Sequence, residues 1–256
     1  MGKVFGKLRI DESMTSEEKR MAIESALLLG IQTESASFPI AGTDGEVPIP
    51  KDEKEWKALW KKTAEPVPDE YTAARGNPEP VFDLDFRRKK GLECMFGRGM
   101  FLKDEDYDFL PDQLDLKFIL PKDADSSIVT AACNFAFRFG METTGYEGEL
   151  LADEGYEGNA VVFEEADCTE LLLQEENGSF RVLVRGKGKE LEEFSSKLCE
   201  EFPGTGGWKN WRDLLMDMTD DFILRGADGQ VAALAAIKDA DSGDYTVYGS
   251  PELGEQ

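Results

Sequence analysis

Along the chain, apolar residues fall into short blocks whose spacing switches between two periods, and the switching predicts both helices and strands. Leu114, Leu116, Phe118 and Leu120 alternate with Asp115, Lys117 and Ile119, the period of a half-buried strand, and Pro121 stops it. Asp123, Ala124 and Asp125 then introduce a helix through Phe139, with Gly140 at its end. Ile128, Ala132, Phe135 and Phe139 form its buried stripe. An earlier helix opens at Thr15-Ser16-Glu17-Glu18, where Thr15 suits the N-cap and Glu18 the third helical position, the two halves of a capping box. Met21, Ile23, Ala26 and Leu27 supply its apolar side, and Gly30 is placed to end it. A third stripe, Leu191, Phe194, Leu198, Cys199 and Phe202, marks a helix over 189–202.

Shorter signals fill the intervals. Residues 4–10, 145–151 and 159–163 read as strands, and 169–173 with 180–184 as a hairpin across Asn177-Gly178. Val47 and Ile49 follow the Asp44-Gly45 turn as a short edge strand. Residues 96–102 are expected to pair with the strand-like stretch holding Val81, Leu84 and Phe86. Asp52 caps a helix on which Trp56, Leu59 and Trp60 share one face. After the glycine-rich residues 203–207, Trp208, Trp211, Leu215, Met218 and Phe222 lie on one face of another helix, and strands follow at 222–224, 231–237 and 245–248. One layer of sheet backed by helices buries these faces most simply. The expected class is therefore α+β, a mostly antiparallel sheet backed by helices, with a split βαβ arrangement open to the central segment. Four prolines at 66, 68, 78 and 80 mark the best internal boundary. The parts are residues 1–64, a core over 81–202, and a C-terminal helix with short strands over 203–250, packed with the core as one unit.

Composition narrows the function. With 41% hydrophobic and 10% aromatic residues, the 256-residue chain can build a core. Its longest wholly apolar run, residues 231–237, is far short of the ~20 residues that cross a bilayer, so no membrane contact is expected. The first residues lack the apolar stretch of a secretory signal, which favours the cytoplasm. Cys94, Cys133, Cys168 and Cys199 form no CxxC pair and are expected as free, mostly buried thiols.

The formal charge is -24, from 53 acids against 29 bases. Residues 140–180 hold twelve acids and no base. Such a chain repels phosphate backbones, so direct nucleic-acid binding is not expected. Histidine is absent altogether, which removes imidazole catalysis and histidine zinc sites. No window matches a Walker loop, and no GxGxxG lies between a strand and a helix. No cofactor is expected. Counting a calcium loop from Asp104 places Phe109 where glycine is needed and Asp115 where glutamate is needed, so an EF-hand fails.

Three readings remain. The first is a non-catalytic protein-interaction or accessory protein, with Trp56, Trp60, Trp208 and Trp211 as candidate anchors because desolvated tryptophans dominate interfaces. The second is a metal-dependent enzyme using the carboxylates Asp83, Asp85, Asp104 and Asp106. The third is a charge mimic that docks a basic nucleic-acid-binding protein through Glu147, Glu149, Glu154, Glu157, Glu164 and Glu165.

Overall fold

The computed structural model describes residues 7–33, 37–52, 54–55, 58, 95–97, 99–105, 111–201, 223–225, 231–238 and 245–249. Their long helices are α1 (Ser16–Ile31), α2 (Ser126–Met141) and α3 (Gly188–Glu201), and Lys54, Glu55 and Ala58 are helical too, behind Asp52, whose carboxylate accepts the Glu55 N–H at 2.8 Å. Two small strand pairs, β1 (Leu8–Arg9) with β2 (Ala41–Gly42) and β3 (Leu102–Lys103) with β4 (Gln113–Leu114), flank the main sheet. That sheet contains β5 (Lys117–Ile119), β6 (Ala160–Glu165), β7 (Glu170–Glu176), β8 (Ser179–Gly186), β9 (Ile223–Arg225), β10 (Val231–Lys238) and β11 (Tyr245–Gly249) in the order β11-β10-β9-β7-β8-β6-β5. The fold is α+β. Pairing is parallel for β5-β6, β6-β8 and β7-β9, and antiparallel for β7-β8, β9-β10 and β10-β11, so the sheet is mixed. In the central segment β5, α2 and β6 form a crossover whose two strands are direct neighbours, without the intervening strand of a split unit.

Each of the first two helices starts where its sequence provides a cap. The Thr15 hydroxyl accepts the Glu18 N–H at 3.2 Å, and a Glu18 carboxylate oxygen accepts the Thr15 N–H at 2.8 Å, closing the capping box. Asp125 does the same work for α2, accepting the Ile128 N–H at 2.9 Å. The β7-β8 hairpin turns at Asn177 and Gly178, both with positive φ (52° and 82°), as a tight two-residue turn requires. The core is largely aromatic. Phe118, Phe135, Phe139 and Phe163 meet at ring-centre distances of 5.4 to 6.2 Å, and the Phe96 ring centre lies 4.7 Å from that of Phe139.

Two correspondences link distant parts of the chain. Residues 110 apart occupy equivalent places: Leu8 and Phe118 in the strands, Thr15 and Asp125 at the caps, Ser16 and Ser126 at the helix starts, Gly30 and Gly140 near the helix ends. Leu8 N–H donates to Ile40 O at 2.8 Å, and Phe118 N–H donates to Leu150 O at 2.8 Å. The contacts between the two units are also reciprocal. A Cβ on Gly30 would lie 2.1 Å from Phe137 O, and one on Gly140 would lie 2.2 Å from Leu27 O, the residue equivalent to Phe137. The Ile40 N–H reaches across to Asn134 Oδ1 at 2.9 Å, and the Leu150 N–H faces Glu24, the residue equivalent to Asn134, near enough to favour its charged form. Reciprocal contacts of this kind define a two-fold interface, here between two strand-helix-strand units of one chain.

Several expectations change. Gly30 and Gly140 do not end their helices, which continue to Ile31 and Met141; both glycines are buried where the helix backbones touch. The alternating run around Phe118 is two strands, because its first part pairs with β3, the Asp115 N–H donating to Phe101 O at 2.7 Å, and its second part pairs with β6. Ile119, on the outward register, is only 3% exposed. Residues 145–151 contribute a single bridge, Leu151 to Phe118. The β3 strand pairs with β4; the stretch 81–86 lies outside the described residues.

The glycine contact sets a stability prediction. In an open helix, alanine for glycine gains up to ~1 kcal/mol. Here Gly140→Ala is expected to cost about 1–3 kcal/mol in urea unfolding, since its Cβ must displace backbone atoms. Gly30→Ala should cost a similar amount, and the double variant less than the sum, because the first methyl already parts the helices. Gly155→Ala, with nothing within 4 Å, is the neutral control.

Candidate functional site

Three polar residues of the interior, Asn134, Arg138 and Ser127, hold elements together, whereas Ser25 Oγ and Thr130 Oγ1 are buried without a hydrogen-bond partner. Asn134, fully buried on α2, also donates from Nδ2 to Ser195 Oγ at 3.0 Å, so one amide ties α2 to the residue before β2 and to α3. Arg138 donates to Cys199 O at 2.6 Å and to Glu142 at 2.8 Å, and its guanidinium lies 4.7 Å from the centre of the Phe96 ring. Ser127 Oγ accepts the Gly188 N–H at 2.9 Å while donating to Asp125 at 2.7 Å. The α2 N-terminus is thus filled by its own cap. Burial pushes the thiols of Cys133 and Cys199 far up, which makes them inert; Cys168 is exposed.

The remaining polar chemistry gathers where the loops after α2 meet α1. Loop residues Tyr146, Glu147 and Glu149 precede Leu150, and Asp153, Glu154, Tyr156 and Glu157 precede β6; all five acids are exposed and both tyrosines are half-buried. Lys117 at the start of β5 donates to the Tyr146 hydroxyl at 3.3 Å and to Glu149 O, and its ammonium stands 5.6 Å from the Tyr146 ring centre. Burial, followed by the charges of Glu24 and Glu149, pushes the Tyr146 phenol up, so it stays neutral and donor-competent. Arg181 Nη1 donates to Tyr156 O at 2.8 Å and fixes the second loop. On α1, Arg20 lies between Glu17 at 2.5 Å and Glu24 at 3.4 Å. Burial outweighs Arg20 in setting the Glu24 carboxyl above its ordinary range, with Glu149 pushing the same way. The arrangement offers carboxylates and phenols to a cation or a donor-rich surface. It presents no paired acid and base aimed at a common point among the described residues.

Trp56, Trp60, Trp208, Trp211, Asp83, Asp85 and Asp106 lie outside the described residues. Asp104 is half-buried in the turn after β3, and no group of three His, Cys, Asp or Glu able to hold a metal occurs among the described residues. Among them, too, no helix is long and apolar enough to cross a membrane. The row of six glutamates is divided. Glu147, Glu149, Glu154 and Glu157 belong to the two loops, whereas Glu164 and Glu165 sit at the far end of β6, about 15 Å away along the strand. Glu164 is spent on Arg185, at 2.6 Å, which also holds Glu170 at 3.2 Å. Sequence reasoning does not single out Tyr146, Tyr156, Arg20 or Glu24; the 110-residue correspondence is the signal that could have found the α1 pair. No protein-family model, curated protein or solved structure matches the chain.

The half-buried charge at Glu24 has a measurable cost. Its raised carboxyl means that folding favours the protonated form; the contribution from that proton is full below the unfolded value and lost as pH rises through the folded one. Glu24→Gln keeps the size of the side chain and removes the charge. The variant is expected to show a higher urea midpoint than the parent near neutral pH, and the gap should close as pH falls to about 4.

Proposed function

We propose that this protein is a non-catalytic protein-binding module of the cytoplasm that docks onto a basic region of its partner. The observation that carries the reading is the acid- and tyrosine-lined rim at residues 146–157, tied to the sheet by the bonds of Leu150 O and the Ala152 N–H with Phe118 and by Arg181 on Tyr156 O. Five exposed carboxylates stand there with no base in the same stretch, and Tyr146 and Tyr156 add flat, partly exposed rings. Tyrosine beside charge is a favourable interface chemistry, because the ring gives contact area at low entropic cost and the charges steer the approach. Use of the buried polar groups as structural ties supports a binding role over catalysis. Free thiols at Cys133, Cys168 and Cys199 fit a reducing compartment.

Binding of this kind depends on salt. The full chain, immobilised and exposed to extract from its own cells, is expected to retain a basic protein at about 50 mM salt and to release most of it by about 200 mM. A triple charge reversal, Glu147→Lys, Glu154→Lys and Glu157→Lys, should abolish the retention. Added duplex DNA competes if the rim occupies the partner's phosphate-binding surface and leaves the complex intact if it docks elsewhere. Retention of no basic protein at low salt overturns the reading.

A further inference from the structure

The two equivalent helices differ in what lies on their outer sides. On α2 the stripe Ser127, Ala131, Asn134 and Arg138 is covered, with exposures of 2%, 0%, 0% and 7%. Its cover is α3: Gly188 N–H meets Ser127, Ser195 meets Asn134, and the Cys199 carbonyl meets Arg138. The residues 110 positions earlier, Glu17, Met21, Glu24 and Leu28, form the same stripe on α1. There Glu17 is exposed, the other three are half-buried, the Glu24 side chain being 22% exposed, and α3, which covers the equivalent stripe on α2, does not pack along α1. The spacing of 17, 21, 24 and 28 is the continuous seam against which a second helix packs.

We propose that this stripe of α1 is a docking site for a helix, the counterpart of the site that α3 fills on α2, and that its occupant is a basic amphipathic helix of a partner protein. The inference rests on the reading of the chain as a binder of basic partners and assigns that partner a place and a shape. Met21 and Leu28 supply the apolar contact. Around them stand Glu17, Glu24 and Glu149, three carboxylates against two bases, Arg20, already held by Glu17 and Glu24, and Lys117, already held by the Glu149 carbonyl and the Tyr146 hydroxyl. An occupant with Lys or Arg flanking its apolar stripe matches this frame. A second copy of the chain does not, because its docked helix carries Glu190, Glu192, Glu193, Glu200 and Glu201 against Lys189 and Lys197. The template on α2 also sets the length: α3 spans 14 residues, and its buried Leu191, Phe194 and Leu198 give the apolar spacing.

The test uses the full chain and two fluorescent peptides read by anisotropy. The first has the Gly188–Glu201 sequence with Glu190→Lys, Glu192→Lys, Glu193→Lys, Glu200→Lys and Glu201→Lys. The second is the unaltered sequence. The basic peptide is expected to bind, and Glu17→Lys and Met21→Arg in the full chain should each weaken it by about 10-fold. Glu175→Lys, an equal charge change at the exposed end of β7, should leave binding within about 2-fold; circular dichroism confirms that each variant folds. Absence of binding by the basic peptide at low salt overturns the site. Equal weakening by Glu17→Lys and Glu175→Lys also overturns it, since attraction is then general, while the reading of the chain as a binder of basic proteins stands. Equal or tighter binding of the unaltered peptide, or a dimer of the free chain that Glu17→Lys dissolves, assigns the stripe to a second copy and overturns the proposed occupant. Hydrogen exchange at the stripe as slow in the free chain as on α2 shows the chain covering α1 by itself, which overturns the proposed occupant as well.

Discussion

Two helices can bring their backbones into contact only where neither carries a side chain at the crossing, and Gly30 and Gly140 satisfy that condition together. A Cβ on either glycine would stand about 3.0 Å from the Cα of the other and closer still to a carbonyl oxygen of the facing helix. Much of the described structure is arranged around this crossing. Close approach of α1 and α2 lets Asn134 satisfy the Ile40 N–H at 2.9 Å and turns Glu24, at the equivalent position, toward the Leu150 N–H. These donors belong to residues whose carbonyls pair with Leu8 and Phe118, which fixes β1 and β5 in turn.

The two units share one plan and differ in what each adds. The second extends its sheet through β6, β8 and β7 and covers α2 with α3, so that α2 is buried on nearly every side. Its interior polar residues became structural: a glutamate position in the first unit is an amide in the second, and a leucine position is the buried Arg138. The first unit kept charge on its helix, where Glu17, Arg20 and Glu24 form a ladder at the surface. The loops that follow α2 bring Glu149 and Tyr146 against this ladder, so the acidic rim and the open stripe of α1 are neighbouring parts of one surface.

Local chemistry was well legible in the sequence. The capping box at Thr15, the Asp125 cap, the Asn177-Gly178 turn and the stripe of Leu191, Phe194, Leu198 and Cys199 all depend on residues within a few positions of one another. What escaped depends on long-range partners. Gly30 and Gly140 look like helix stops, because a glycine at a helix end and a glycine at a helix crossing are the same letter; only the facing backbone distinguishes them. Ile119 sits where alternation predicts solvent and is buried all the same. The two units share few identities, among them Ser16 with Ser126, Ala22 with Ala132, Ala26 with Ala136 and Gly30 with Gly140, too sparse to stand out against helix-rich composition. Of the candidate site, the acids were visible as charge, and their separation into two loops and a strand end was not.

The reciprocal clamps have a consequence for how the chain is born. The first unit leaves the ribosome with its Ile40 N–H unmatched and the glycine face of α1 bare, and the residues that complete it, Asn134 and the turn ending at Gly140, are made roughly 100 residues later. At about 5–20 residues per second, the emerging strand and helix wait on the order of 5–20 s before their counterpart arrives. During that interval the nascent segment exposes the apolar surface that later seals the crossing, Ile23, Ala26 and Leu27 included. Synthesis order therefore leaves the strand and helix of the first unit, residues 8–31, without their packing partner until the second unit is made.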